Sequence, residues 1–304
     1  MIKPFNYTYE SFPEDIESPV GMKTLCTDRD EWAPLYEHDV EYIERDGTKL
    51  HLQVLKPSCW DKKLKCPCVV YIQGSAFMKQ NTYFSLPYLV ILAKKGYADI
   101  RVEYRPSDVA AFPAQVIDTK TAIRYIRKNA EFYNVDPDNI FVFGDSSGGH
   151  TALMVGLTSG ISWLDSDDYG EYSDDVNAVI DFYGPTDITK MNDCPSIQDH
   201  TGPDSPEGKL IGGKNVLENL EEARKTNPIT YISEQKDIPP ILIMHGSKDR
   251  LVPFNQSVLL YQALLDAGKQ VEFYKLKGAD HGGPQFWTDE IIDILDDFIK
   301  KNIK

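Results

Sequence analysis

Short apolar runs alternating with helix-compatible segments predict an α/β fold: a single domain over residues 1–304 built on a mostly parallel central sheet with helices on both faces. Three observations carry that expectation. Strand-length apolar runs recur at 68–72, 97–103, 140–143, 178–183, 241–244 and 271–276. Two segments show one apolar stripe at helical spacing: 113–129, and the C-terminal stretch with Ile291, Ile292, Leu295, Phe298 and Ile299. A chain of 304 residues is long enough to bury a sizeable single core.

The elements follow in order. Residues 1–37 carry four prolines and no period, and read as an irregular arm laid across the body, with Phe5, Tyr7, Tyr9, Phe12 and Trp32 packed on it. Residues 38–56 read as two strands joined at Asp46-Gly47, a hairpin signal. The unbroken apolar run 68–72 suits a buried strand. A helix over 88–95 ends before Gly96, and 97–103 is the next strand. In 113–129, Val116, Ile123, Ile126 and Ala130 mark one face, with Lys and Arg on the other. The segment 184–239 is too long for a simple connection; it is rich in Pro, Gly and Asp, then helical over 215–225. The acidic residues of the C-terminal helix form mostly a solvated face rather than a site.

The chemistry centres on Gly144-Asp145-Ser146-Ser147-Gly148-Gly149-His150. An apolar run precedes it and a helix-compatible run, 151–155, follows. A Gly-x-Ser-x-Gly between strand and helix makes a sharp turn that exposes the serine hydroxyl and aims the next backbone N–H at whatever that hydroxyl attacks. A serine needs a base in reach and an acid to orient that base. Asp249 and His281 each lie on a loop just after a strand, where a sheet presents catalytic groups. The order Ser146, Asp249, His281 is that of a strand-end catalytic triad. The other histidines fit less well: His38 and His51 sit in the hairpin, His150 opens the helix, His200 is in a polar loop, and His245 shapes the turn before Asp249. Gly-Asp-Ser also occurs in trypsin-like proteases, but those use the order His, Asp, Ser on an all-β fold.

On these residues the chain resembles α/β-hydrolase serine esterases, near the hormone-sensitive-lipase-like and carbohydrate-esterase branches. The matching segments are Val102-Glu103-Tyr104-Arg105, Phe112-Pro113-Ala114-Gln115, the stretch 134–140, the serine turn, Asn227-Pro228-Ile229, and the Asp249 and His281 loops, spanning roughly 37–299. The resemblance implies an α/β-hydrolase fold with 184–239 as a small cap-like insertion that shapes the substrate pockets. It implies a carboxylesterase for short acyl esters, with acetyl or feruloyl groups on plant-derived carbohydrates as candidates, and no cofactor. These families carry His-Gly-Gly-Gly or His-Gly-Gly-Ala after the third strand to supply oxyanion N–H groups. Here Gln73-Gly74-Ser75-Ala76 stands there. By position the resemblance assigns the oxyanion hole to the N–H groups of Ser75 and Ala76, together with Ser147. An amide-cleaving hydrolase (a small peptidase or an arylformamidase) shares the triad and stays open, as does a non-catalytic ligand receptor.

Composition narrows the partners. A formal charge of −15 repels nucleic acid and acidic membranes. No run of eighteen apolar residues exists, so no membrane helix is expected. The start of the chain lacks the apolar core of a secretory signal. The five cysteines, Cys26, Cys59, Cys66, Cys68 and Cys194, have no paired spacing, which favours a reducing compartment and a cytoplasmic setting. The run 165–171 hints at calcium but lacks an oxygen at its fifth position and has Val176 where a bidentate Glu belongs; it reads as a solvated acidic loop with no metal. The expected partner is a small-molecule ester, an acylated oligosaccharide among the candidates.

Overall fold

The Asp46-Gly47 signal is a turn between β1 (Ala33–Arg45) and β2 (Thr48–Ser58), paired antiparallel. The computed structural model describes residues 4–27, 33–58 and 65–304. Onward run β3 (Cys66–Ile72), α1 (Leu86–Lys94), β4 (Ala98–Val102), α2 (Ala114–Lys128), the single turn α3 (Ala130–Tyr133), β5 (Val135–Asp145) and α4 (Ser147–Leu157). Then come β6 (Val179–Phe182), α5 (Pro206–Leu210), α6 (Leu220–Thr226), β7 (Ile241–Gly246), α7 (Asn255–Asp266), β8 (Val271–Leu276) and α8 (Asp289–Lys301). The strands form one eight-stranded sheet in the order β1-β2-β4-β3-β5-β6-β7-β8. All pairs from β4 to β8 are parallel; β2 joins β4 antiparallel. This is the mostly parallel, helix-covered sheet expected of an α/β hydrolase.

Strand alternation sends side chains to opposite faces, and each face finds its helices. Val69, Tyr71, Phe141, Phe143, Ile180 and Phe182 pack with α1 and α8. Val70, Ile100, Val102 and Ile140 meet the stripe of α2 and the middle of α4. Ile72, Val142, Val179, Ile241 and Ile243 meet α4 and α7. All the stripe residues named for α8 are buried. Among the described residues no helix is long and apolar enough to cross a membrane.

Several expectations are corrected. Residues 4–27 are exposed throughout, so Phe5, Tyr7, Tyr9 and Phe12 are not buried against the body; Tyr7 contacts Phe5 and Phe12. Residues 33–37, counted within the arm, belong to β1. Trp32 and Cys59 lie outside the described residues. On the second face of α2, Lys128 is exposed but Lys120 is fully buried, bonded to the Thr158 carbonyl at 2.7 Å and 3.2 Å from Asp174. Arg124 pairs with Asp165 and Asp174, and Arg45 with Asp168. In the run 165–171, Asp167 and Glu171 are exposed as a solvated loop would have them, while Asp165 and Asp168, with Asp174 beyond, serve as counter-charges to α2 and β1. Asp296 of α8 is likewise buried, against Tyr97 and Lys95. Residues 184–239 hold α5 and α6 rather than one helix at 215–225, and bury a small cluster of their own: Ile188, Ile211, Val216 and Ala223.

Just past β4, Arg105 turns back onto α2. Its Nε and one terminal nitrogen each donate to the fully buried Asp118 carboxylate at 2.9 Å, and its backbone N–H donates to the same group at 3.0 Å. Removing one partner of such a pair strands the other charge in the interior. Asp118→Ala is expected to lower stability by about 3–5 kcal/mol. Urea denaturation checks this; an unchanged midpoint would refute the pairing.

Candidate active site

The chain has almost no room at the turn from β5 into α4. A Cβ at Gly144 would overlap the Gly148 carbonyl, and one at Gly148 would overlap the Ile72 carbonyl of β3. Glycine is therefore required at both places. Between them Ser146 adopts φ 53° and ψ −126°, a conformation that costs a non-glycine residue on the order of 1–3 kcal/mol. Its N–H donates to the Phe182 carbonyl at 2.8 Å, and its carbonyl accepts from His150 N–H at 3.0 Å. These bonds hold the side chain clear of the sheet's carboxyl end.

Three expected residues meet there. His281 Nε2 lies 2.9 Å from Ser146 Oγ, and His281 Nδ1 lies 2.7 Å from Asp249 Oδ2. The partners assign the tautomer: Nδ1–H donates to the carboxylate and the Nε2 lone pair faces the hydroxyl. The Asp249 carboxylate is sealed from solvent. Burial pushes its pKa up, but hydrogen bonds from His245 and His281 outweigh this and hold it below the usual carboxylate range. Its Oδ1 also accepts the N–H groups of Leu251 and Val252, each at 2.9 Å.

His245 does more than shape a turn. It is fully buried at the end of β7, with Nε2 3.1 Å from Asp249 Oδ2 and Nδ1 2.7 Å from Ser257 Oγ. One carboxylate thus holds two imidazoles. The signal was present as a His four residues before the acid, but strand-end context alone does not show which side chains turn inward.

The predicted oxyanion donors divide. Ser147, at the first position of α4, and Ala76 have backbone N–H groups with no hydrogen-bond acceptor among the described residues. Ser75 is corrected: its N–H donates to Ser147 Oγ at 2.9 Å. The Gly74 N–H likewise donates to Asp145 Oδ1, at 2.9 Å. Where the related families have small glycine turns, this loop is held by side chains, and Ala76 and Phe77 take left-handed φ of 55° and 61°.

The site opens into a cavity of about 550 Å³. Tyr88 and Trp287 form one wall, their rings 4.8 Å apart and within 8° of parallel. The 184–239 segment contributes Gln198, His200 and Glu207 to another. No cluster of metal-ligating side chains occurs among the described residues.

Beneath the turn lies a group that sequence reasoning missed, Asp181 of β6. It is fully buried, accepts the Gly184 N–H at 2.9 Å, and is pushed up by burial from an ordinary 3.8 to about 7. Its folded pKa exceeds the unfolded one, so the native state holds a proton the unfolded chain has lost between about pH 4 and 7, and stability falls as pH rises through that window. Asp181→Asn keeps the acceptor for Gly184. It is expected to raise Tm at about pH 8 and to leave it nearly unchanged at about pH 4; an equal effect at both pH values would refute the buried neutral acid. Gly148→Ala is expected to unfold the turn, seen as a lowered Tm together with lost protection of α4 amides in hydrogen exchange; wild-type stability would contradict the close approach to Ile72.

With this geometry in view, comparison with known proteins is direct. Residues 52–264 match the BD-FAE family. A mycobacterial protein named "Probable carboxylic ester hydrolase LipM" (Mycobacterium tuberculosis) is 27% identical over 267 residues, covering 85% of this chain and 58% of its own length. Esterase LipQ of the same organism is 27% identical over 71% of this chain and 50% of its own. The chain thus spans about half the length of these curated relatives. Among solved structures, a truncated carbohydrate esterase from gut microbiota is 30% identical with a TM-score of 0.77, covering 90% of this chain and 98% of its own. A bifunctional GH43-CE protein of Bacteroides eggerthii is 32% identical with a TM-score of 0.77, covering 91% of this chain and 39% of its own. The family match spans well over half of the sequence, and the chain belongs to the BD-FAE family of α/β hydrolases.

Proposed function

We propose that this protein is a serine carboxylesterase that hydrolyses short-chain acyl esters by two-step acyl transfer. The observation that carries the reading is the bridge made by His281, 2.7 Å from Asp249 on one side and 2.9 Å from Ser146 on the other. The names of the relatives, a carboxylic ester hydrolase, an esterase and carbohydrate esterases, support the same class of reaction. The carbohydrate-esterase relatives and the Tyr88–Trp287 aromatic wall support acetyl or feruloyl esters of plant-derived sugars as substrates.

In this reading Ser146 Oγ attacks the ester carbonyl carbon while its proton passes to His281 Nε2. Asp249 accepts from Nδ1–H throughout and stabilises the imidazolium. The carbonyl oxygen gains negative charge as the tetrahedral centre forms. The unpaired N–H groups of Ala76 and Ser147 receive it; a single such donor is worth about 3–4 kcal/mol of barrier. His281 returns its proton to the leaving alkoxide oxygen, which departs as the alcohol. Water then attacks the acyl-enzyme by the same route, with His281 as base, and releases the acid. The chain acts as one domain, with 184–239 forming a cap over the acyl and alcohol pockets.

Ser146→Ala is expected to lower kcat for p-nitrophenyl acetate by about 10⁴ or more and to abolish labelling by a fluorophosphonate; near-normal turnover by this variant would reject the nucleophile.

A further inference from the structure

One hydroxyl in the cavity wall is left unused by the fold. Tyr183 follows β6 and lines the same cavity as Ser146 and His281. Its φ of 45° is left-handed, a strained conformation for any residue but glycine. Its N–H donates to the Met244 carbonyl of β7 at 2.9 Å, which ties it there. The ring lies with its centroid 4.6 Å from that of His281 and 4.6 Å from that of Phe286. A phenylalanine would serve this packing equally well; the hydroxyl is what packing does not explain. It has no hydrogen-bond partner among the described residues, and its oxygen is not sealed from solvent although the residue is only 4% exposed. A Cβ at Gly282 would stand 3.1 Å from it, so the hydroxyl lies beside the residue that follows the base, and Gly282 also lines the cavity. Tyrosine hydroxyls at such depth normally have a partner. Burial, and after it the nearby Asp145 charge, push this phenol's pKa well above its ordinary value, so it keeps its proton and offers it as a donor.

Resting on the esterase reading, we infer that Tyr183 is a further catalytic residue: its hydroxyl donates a hydrogen bond to the alkoxy oxygen of the bound ester and stabilises the charge that gathers there as the alcohol leaves. The reacting centre of an ester has two acceptor oxygens. The carbonyl oxygen goes to the free N–H groups of Ala76 and Ser147. The alkoxy oxygen must come against His281, and Tyr183 is the donor whose ring packs on that imidazole. When the tetrahedral centre collapses, the carbon–alkoxy bond breaks and its electron pair stays on the departing oxygen. His281 Nε2 delivers the proton; Tyr183 retains its own throughout. A donor to a charged oxygen is worth more than one to a neutral oxygen, so the help grows with the charge that the leaving group carries. It is large for an alkyl alcohol and small for a phenol whose anion is already stable near neutral pH.

The test is Tyr183→Phe, which keeps the ring against His281 and removes only the hydroxyl. Ethyl acetate and p-nitrophenyl acetate share the acyl group and differ in the leaving group, and kcat/KM reports their acylation alone. The ratio of kcat/KM for ethyl acetate to that for p-nitrophenyl acetate is expected to fall about tenfold in the variant. A ring that merely held His281 in place would slow both esters by one factor, because His281 must deprotonate Ser146 in each. An unchanged ratio would therefore overturn the proposal, whether both rates fall together or neither falls. A variant shown by circular dichroism to be unfolded would overturn it too, because the hydroxyl would then serve the fold. Each of these results, with wild-type activity intact, removes the Tyr183 role alone. A wild type that turns over neither ester removes the esterase reading and this role with it.

Discussion

The whole site hangs on one backbone conformation, the φ 53°, ψ −126° of Ser146. No local preference holds a serine there. The conformation persists because β5 enters the turn already paired with β3 and β6, and every residue of α4 is buried as it leaves. The strain cannot relax without parting strands or withdrawing a helix from the core. The glycines at 144 and 148 let the helix start against the β3 carbonyl, so the Ser147 N–H is delivered to the same corner as the hydroxyl. The proposed nucleophile and the proposed oxyanion donor are thereby placed by one feature, ahead of any substrate.

The electrostatics are arranged around that corner. The chain carries a large negative charge, yet the Asp249 and Asp145 carboxylates beside Ser146 are tied to donors. Asp249 collects two imidazoles and two backbone N–H groups. Asp145 takes the Tyr71 hydroxyl and the Gly74 N–H. Asp181 is pushed toward its neutral form by burial. Negative charge is thus fixed where it orients a base or a loop. The backbone N–H groups of Ala76 and Ser147 and the His281 imidazole face this corner, which suits the proposed ester substrate, anionic only in passing.

Much of this was legible in the sequence because it rests on local rules. The continuous apolar runs of β3, β5 and β7 are strands buried on both faces, and the spacing of Val116, Ile123 and Ile126 marks the buried stripe of α2. Ser146, Asp249 and His281 could be found because strand ends are recognisable. What escaped depends on which side chain is nearer in space. Ser147 Oγ competes for the Ser75 N–H, and nothing in the order of residues shows that the side chain after the nucleophile will turn toward the preceding loop. The burial of Lys120 and Arg124 does not show in the spacing of α2, because their partners Asp165 and Asp174 lie far on in the chain. The helix α7 was missed, although Leu260 and Leu264 are spaced four apart. The exposure of residues 4–27 has no sequence signature here, since their aromatic content reads equally well as packing.

The stacking of Trp287 on Tyr88 has an optical corollary. An indole in the cavity wall, in ring contact with Tyr71, Phe143 and Phe182 as well, sits where solvent is displaced when a ligand enters. Its emission wavelength and quenching therefore register occupancy of the site directly. Trp287 is thus a built-in fluorophore for following the proposed acylation, without a chromogenic leaving group that would bias which alcohols can be studied.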